Sequence, residues 1–391
     1  MTRLSRLAPS RLILLVLGIF GLSRLWSSAI LLALFVFGPS LGLPVPAVRD
    51  ADASFFDFLS GWDGVFYHRI IRDGYPTSLP LNDAGNVTGN AWAFLPVFPL
   101  LVGAFSALTQ ASLASGSVVI ATLAGGAASV ALFELVRPRV GARAALWTVV
   151  FFAFGPLGFL LQVGYAESLF VFFLFSALVA MSRHRYWPLL AFGLAAAFTR
   201  PGVLALALAL GIHVLLRLVR RDVFPLREKC AAVVSGGLLA VAGFAWPWIA
   251  GLITGRSDAY LQTEMSWWEG YVGREVFLPL TPWFRMFGTY LGLPGLLVPL
   301  LAAALFVAWL RRRSLRTMGS DLIAWAGSYA LYLFAVFLPQ QSIFRLVLLP
   351  LAPLFGEPAL TGSRRRRAGV LTACLALQPV CATVLWFATY P

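Results

Sequence analysis

The chain reads as an all-α polytopic membrane protein, and three observations predict this. Hydrophobic residues fill 60% of its 391 positions and charged residues only 12%, about half the roughly 25% of a soluble domain. Apolar runs near the ~20 residues that a helix needs to cross a bilayer recur along the chain. The arginines fall in short clusters between those runs, as in cytoplasmic membrane loops. The net charge of +14 does not point to nucleic acid, because no basic stripe follows one polar segment. Membrane lipids are the expected surroundings. The three cysteines form no disulfide framework or zinc spacing, and no metal or cofactor is expected.

Taken in order, the candidate spans are 11–36, 115–136, 144–162, 166–182, 187–199, 202–219, 231–253, 288–310, 321–338, 343–359 and 368–388. Arg3, Arg6 and Arg11 precede the first run, which is too long for a signal-peptide core and is expected to be retained. The stretch 92–108 is short and carries Pro96 and Pro99. If it crossed, the cluster Arg137/Arg139/Arg143 and every later cluster would fall outside. It is therefore expected to be a juxtamembrane helix in the outer interface. The result is about eleven transmembrane helices in a multi-pass cell-membrane protein, with the N-terminus cytoplasmic and the C-terminus outside. No repeat or linker divides the chain, so residues 1–391 are expected to form one integral-membrane catalytic domain. Its polar segments, 37–114 and 254–287, lie on the extracytoplasmic face.

The first of these segments holds 6 of the 16 acidic residues. Within it, Trp62-Asp63-Gly64 sets a carboxylate among aromatics and glycine at a membrane surface. Asp63 suits a general base; a helix-capping carboxylate is the competing role. Asp57 lacks that context and is expected to be a cap or surface charge. Trp62, Tyr67 and Tyr75 suit stacking on a sugar or anchoring at the interface. Arg24, Arg200 and Arg345 fall in or beside apolar runs, where an arginine costs at least ~2.5 kcal/mol and needs a partner or a polar cavity. A phosphate would pair well with such a guanidinium; an ion pair with Glu167 or Glu134 is the alternative. Trp268 and Glu269 in the second outer segment are further candidates for sugar contact.

These residues also carry a likeness. Trp62-Asp63-Gly64, Tyr67, Gly74-Tyr75 and Phe94-Leu95-Pro96-Val97-Phe98-Pro99-Leu100 resemble the PIG-V mannosyltransferase family in order and spacing. Ser23-Arg24, Tyr165-Ala166-Glu167-Ser168-Leu169-Phe170 and Thr199-Arg200-Pro201-Gly202 extend the resemblance, which covers about residues 11–220 well and 254–360 more loosely. Val97-Phe98 and Pro201-Gly202 depart from the family's usual Leu-Tyr and Ser-Asn-Gly, at positions bearing on acceptor and sugar. The resemblance implies a GT-C-like fold with outer juxtamembrane helices in the first long loop. It implies a membrane glycosyltransferase moving a hexose, mannose, from a polyprenyl-phosphate-sugar donor to a lipid or glycan acceptor on the outer face. Asp63 is then the base of an inverting mechanism, with Trp62, Tyr67, Tyr75, Glu167, Arg200, Arg345, Arg24, Trp268 and Glu269 binding substrate. The competing class is a transporter or flippase of lipids or lipid-linked sugars. A transporter is expected to place polar residues at the midplane of several helices, whereas the acidic residues here gather in outer segments.

Overall fold

A computed structural model describes residues 8–41, 53–274 and 276–388. Arg3, Arg6 and residues 42–52 of the first outer segment lie outside the described residues. Among those described, the regular structure is helical, apart from one antiparallel bridge between Leu81 and Val87.

Helix α1 (Pro9–Phe37) has 29 residues, opens with proline in its first turn and spans roughly 43 Å. One stripe, Leu12, Val16, Phe20, Ser23, Ser27 and Leu31, is buried. The opposite face exposes Leu14, Leu22 and Leu25. A helix apolar on every side suits lipid better than water.

Helices α2 (Phe55–Leu59) and α3 (Asp63–Asp73) follow in the outer segment. Ser54 and Asp57 close a capping box on α2, the Asp57 amide donating to Ser54 Oγ and the Ser54 amide to Asp57 Oδ2. Asp57 is thus a cap. Helix α4 (Val97–Thr109) has 13 residues, about 20 Å of helix and short of a bilayer core.

Helix α5 (Leu113–Ala153) is two helices merged across a kink at Gly141. Gly141 has φ 80°, open to glycine without strain. The expected span 144–162 stops at Ala153; a buried irregular segment leads on to α6 (Glu167–Ser182). Then come α7 (Tyr186–Ala197), α8 (Val203–Val219) and α9 (Leu226–Thr254).

The second outer segment holds α10 (Ala259–Ser266), α11 (Glu269–Val272) and α12 (Pro282–Leu291). Next are α13 (Leu297–Leu310), the one-turn α14 (Arg313–Arg316) and α15 (Ser320–Val336). The expected span 343–359 is not one helix. It divides into α16 (Ile343–Leu348), a 3₁₀ turn over Ala352–Gly356 and α17 (Pro358–Thr361). Pro350 and Pro353 lie in the break, where proline lacks the amide a continuing helix needs. Helix α18 (Arg364–Thr383) follows.

Five helices are long and apolar enough to cross a membrane: Pro9–Phe37, Leu113–Ala153, Leu226–Thr254, Leu293–Leu310 and Arg364–Trp386. Shorter apolar helices α4, α6, α7, α8 and α15 accompany them. One main hydrophobic core runs from Leu12 on α1 to Trp386 and includes residues of α5, α6, α8 and α15. Helix α13 instead exposes Leu297, Leu300, Leu301 and Leu305, a face made for lipid contact.

Candidate active site

Four charged side chains, far apart in sequence, meet in one buried cluster. Asp63 comes from the first turn of α3 and Glu167 from the first turn of α6. Arg200 comes from the turn after α7 and Arg345 from α16. Arg345 Nη1 lies 2.7 Å from Asp63 Oδ2 and 2.9 Å from Glu167 Oε1. Arg200 Nη1 lies 2.8 Å from the same Glu167 oxygen and 3.8 Å from Asp63 Oδ2. The side chains are 3% exposed for Glu167, 10% for Arg345, 15% for Arg200 and 17% for Asp63. Two carboxylates and two guanidiniums so close and so dry hold one another charged.

Local backbone explains how each arrives. Between α2 and α3, Trp62 adopts φ 51°, an uncommon conformation for a bulky residue, and this turn starts α3 at Asp63. The bonds Asp63 makes are to guanidiniums, which answers the capping alternative. Glu167 is delivered by the irregular segment, whose Gly164 amide donates to Leu59 O at 2.9 Å. Gly202, at φ 137°, turns the chain from Arg200 into α8. The Arg345 guanidinium also lies 5.4 Å from the Tyr165 ring, within cation–π range.

The cluster has unspent hydrogen-bonding capacity. Glu167 Oε2, Arg200 Nε and Arg345 Nε are buried without a hydrogen-bond partner. Each such group costs about 1–3 kcal/mol, so a polar ligand meeting them would gain accordingly.

The other expected site residues divide. Tyr67 is buried beside the cluster, its ring edge-on to Phe94 and Phe98. Burial raises its phenol pKa above the usual value, and the phenol senses Arg200, Asp63, Glu167 and Arg345 in turn. Trp62 donates from Nε1 to Trp386 O at 3.1 Å. Tyr75 is not at the cluster: it stacks on Trp92, lies against Trp246 and donates to Phe94 O. Arg24 is engaged elsewhere too. Its Nη atoms donate to Gly158 O at 2.8 Å and Ala153 O at 3.0 Å, satisfying carbonyls freed where α5 ends. Trp268 packs near Phe277. Glu269 pairs with Arg274 at 3.0 Å in an outer groove.

His68 hydrogen-bonds Ser117 Oγ at 3.0 Å. Burial, then Arg72, push its pKa down to about 4, so it is neutral at pH 7. Among the described residues no three His, Cys, Asp or Glu side chains gather as a metal-binding group. Asp63 and Glu167 are both taken up by arginines.

Sequence reasoning missed Glu264. It lies on α10 within electrostatic reach of Arg200 and Asp63, with the Tyr260 hydroxyl bonded to it. Its i, i+4 spacing from Tyr260 was the available signal.

The second outer segment joins the two halves of the cluster. On α10, Thr263 Oγ1 accepts from Asn90 of the first segment at 2.9 Å. On α11, the Tyr271 hydroxyl donates to Gln341 at 2.7 Å, in the loop leading to Arg345.

No protein-family model and no curated protein matches the chain. Among solved structures it is similar to ArnT from Cupriavidus metallidurans at 15% identity and TM-score 0.42, over 82% of this chain and 58% of that one. It is also similar to the Archaeoglobus fulgidus oligosaccharyltransferase complex with Zn and sulfate at 17% identity and TM-score 0.47, over 95% and 53%. The same oligosaccharyltransferase tethered with an acceptor peptide gives 14% identity and TM-score 0.43, over 96% and 56%. The chain spans a little over half the length of these proteins. At TM-scores below 0.5 the likenesses decide neither family nor activity.

Proposed function

We propose that the chain is a membrane glycosyltransferase that moves a hexose from a polyprenyl-phosphate sugar to a hydroxyl acceptor on the outer face. The observation that carries this reading is the cluster of Asp63 and Glu167 with Arg200 and Arg345. One group suits a base and two suit a phosphate, within a few ångströms of one another. The resemblance to PIG-V mannosyltransferases favours mannose as the sugar and a glycolipid or glycan as the acceptor.

The chemistry follows from charge. The acceptor oxygen attacks the anomeric carbon, its proton passes to Asp63, and the anomeric C–O bond breaks with its electron pair leaving on the polyprenyl phosphate. The donor phosphate carries one negative charge and gains a second as the bond breaks, so nearby guanidiniums stabilise the transition state more than the ground state. Arg345 is bound to Asp63 at 2.7 Å, and a carboxylate so paired is a poor base. A phosphate competing for Arg345 would loosen that pair and raise the basicity of Asp63 when donor is in place. Glu167 keeps both guanidiniums oriented through one oxygen. The electrostatics thereby couple donor binding to activation of the base.

The test is sugar transfer by purified protein in detergent, with a polyprenyl-phosphate mannose donor and an envelope glycolipid extract as acceptor. Transfer without a sealed compartment supports the enzyme and excludes transport as the sole activity. Asp63→Asn is nearly isosteric and should lower turnover by roughly 10² or more while the protein still folds. Near-normal turnover in that variant would remove Asp63 from the mechanism.

A further inference from the structure

Arg200 has a second set of neighbours that the transfer chemistry does not use. Tyr260 and Glu264 reach it from α10, and Tyr329 from α15, with Tyr332 beside them. Tyr260 and Tyr332 also line a cleft with Leu95, Pro201, Gly202 and Trp246. The cleft encloses about 400 Å³ of empty space, part of it open, at the small end of the ~300–1,000 Å³ typical of small-molecule sites.

The lining has the mixed chemistry of a pyranose site. A sugar ring presents C–H faces, which pack on aromatic rings, and edge hydroxyls, which need fixed acceptors and donors. Tyr260, Tyr332 and Trp246 supply rings. Gly202 keeps backbone close to the cleft, since a side chain there would meet Tyr329 and Phe170 within 3.5 Å. Glu264 supplies a carboxyl group. Among the described residues no arginine lies within ion-pair distance of it, unlike Asp63 and Glu167. Its carboxyl is half-buried and committed only to Tyr260, one helical turn earlier on the same face.

We propose that Glu264, backed by Tyr260, recognises the transferred sugar, its carboxylate accepting hydrogen bonds from pyranose hydroxyls. The ring then lies between Asp63 and the aromatic cleft. This inference rests on the glycosyltransferase reading and adds to it the residue that selects the sugar. Burial raises the Glu264 pKa to about 7, as expected of a carboxylate held ready for a ligand without a cation to neutralise it.

Binding can be measured without an acceptor. The probes are polyprenyl phosphates carrying mannose, glucose or galactose, and bare polyprenyl phosphate, titrated into the full chain in detergent. Wild-type protein is expected to bind one sugar-bearing probe more tightly than the bare lipid. Glu264→Gln should weaken that probe about 10–100-fold, the scale of a hydrogen bond to a charged group. Bare polyprenyl phosphate should stay within about twofold. Tyr260→Phe should lose less than Glu264→Gln. Melting temperature on the same preparation checks folding, and Glu264→Asp, which keeps the charge, provides a second variant with a partial loss.

The inference is overturned if Glu264→Gln binds the preferred probe as wild type does, or weakens all four probes equally. It is also overturned if wild type binds bare and sugar-bearing lipids alike, which leaves the phosphate site standing. Wild type binding none of the probes removes the glycosyltransferase reading itself, and this inference with it.

Discussion

At the residue scale, Arg345 has two duties, and one pair of measurements separates them. Bound to Asp63 and Glu167, it holds together a buried ion cluster, and its loss leaves two carboxylates facing Arg200 alone. Arg345→Ala is expected to lower the melting temperature, since breaking a buried pair costs about 3–5 kcal/mol. If Arg345 also grips the donor phosphate, affinity for a polyprenyl-phosphate sugar falls in the protein that still folds. Arg345→Lys keeps the charge without the planar fork and should fall between the two. Lost stability with unchanged donor affinity would confine Arg345 to a structural role. Glu264 makes a prediction of opposite sign. Its folded-state pKa of about 7 lies above the ordinary carboxylate value of 4.5, so the fold favours the neutral form. The stability it contributes is complete below pH ~4.5 and is lost as pH rises through 7. Glu264→Gln should therefore melt with wild type at pH 5 and above it at pH 8; equal melting at pH 8 refutes the elevated pKa. Asp63, Glu167, Arg200 and Arg345 were legible in the sequence because charge beside apolar runs is costly and so conspicuous. Glu264 was not, because it sits in a polar segment and only packing of α10 against the first outer segment buries it.

At the element scale, neighbouring glycines on α5 report how tightly α1 is seated. A Cβ at Gly125 would come within 2.9 Å of both Leu161 O and the Phe20 ring. At Gly126 the nearest atoms are the Phe20 ring at 3.6 Å, an ordinary contact. Gly125→Ala should destabilise by about 1–3 kcal/mol, as overpacking does. Gly126→Ala should be neutral or slightly stabilising, because alanine is the better helix former. Thermal melts of both variants check this; equal effects would show that α1 and α5 pack loosely. Most helices were legible from apolar run length. The two failures, 144–162 and 343–359, share a cause: both runs stay apolar through a break. Gly155-Pro156 and Pro350 with Pro353 mark the breaks in the sequence. An apolar count passes over them, because a span and a buried irregular segment need the same hydrophobicity.

At the scale of the whole molecule, the orientation inferred from arginine clusters awaits a direct measurement. Gln110 and Arg143 are both exposed, at the two ends of the first part of α5. The helix between them is roughly 40 Å long, enough to cross a bilayer. In a background with Cys230, Cys374 and Cys381 replaced, a single cysteine at 110 should react with an impermeant reagent from outside, and one at 143 from inside. Labelling from the same side would relocate the Asp63 face. The Arg24 contacts bear on how such a molecule is made. Arg24 sits midway along the first helix, yet the carbonyls that receive its guanidinium lie 129 and 134 residues later. At about 5–20 residues per second of synthesis, that arginine waits on the order of ten seconds for its partners. In that interval helix α1 carries an unpaired cation costing ~2.5–3.5 kcal/mol at the bilayer centre. The nascent first helix is thus a provisional resident of the membrane, made permanent only when the chain beyond Ala153 emerges and folds back onto it.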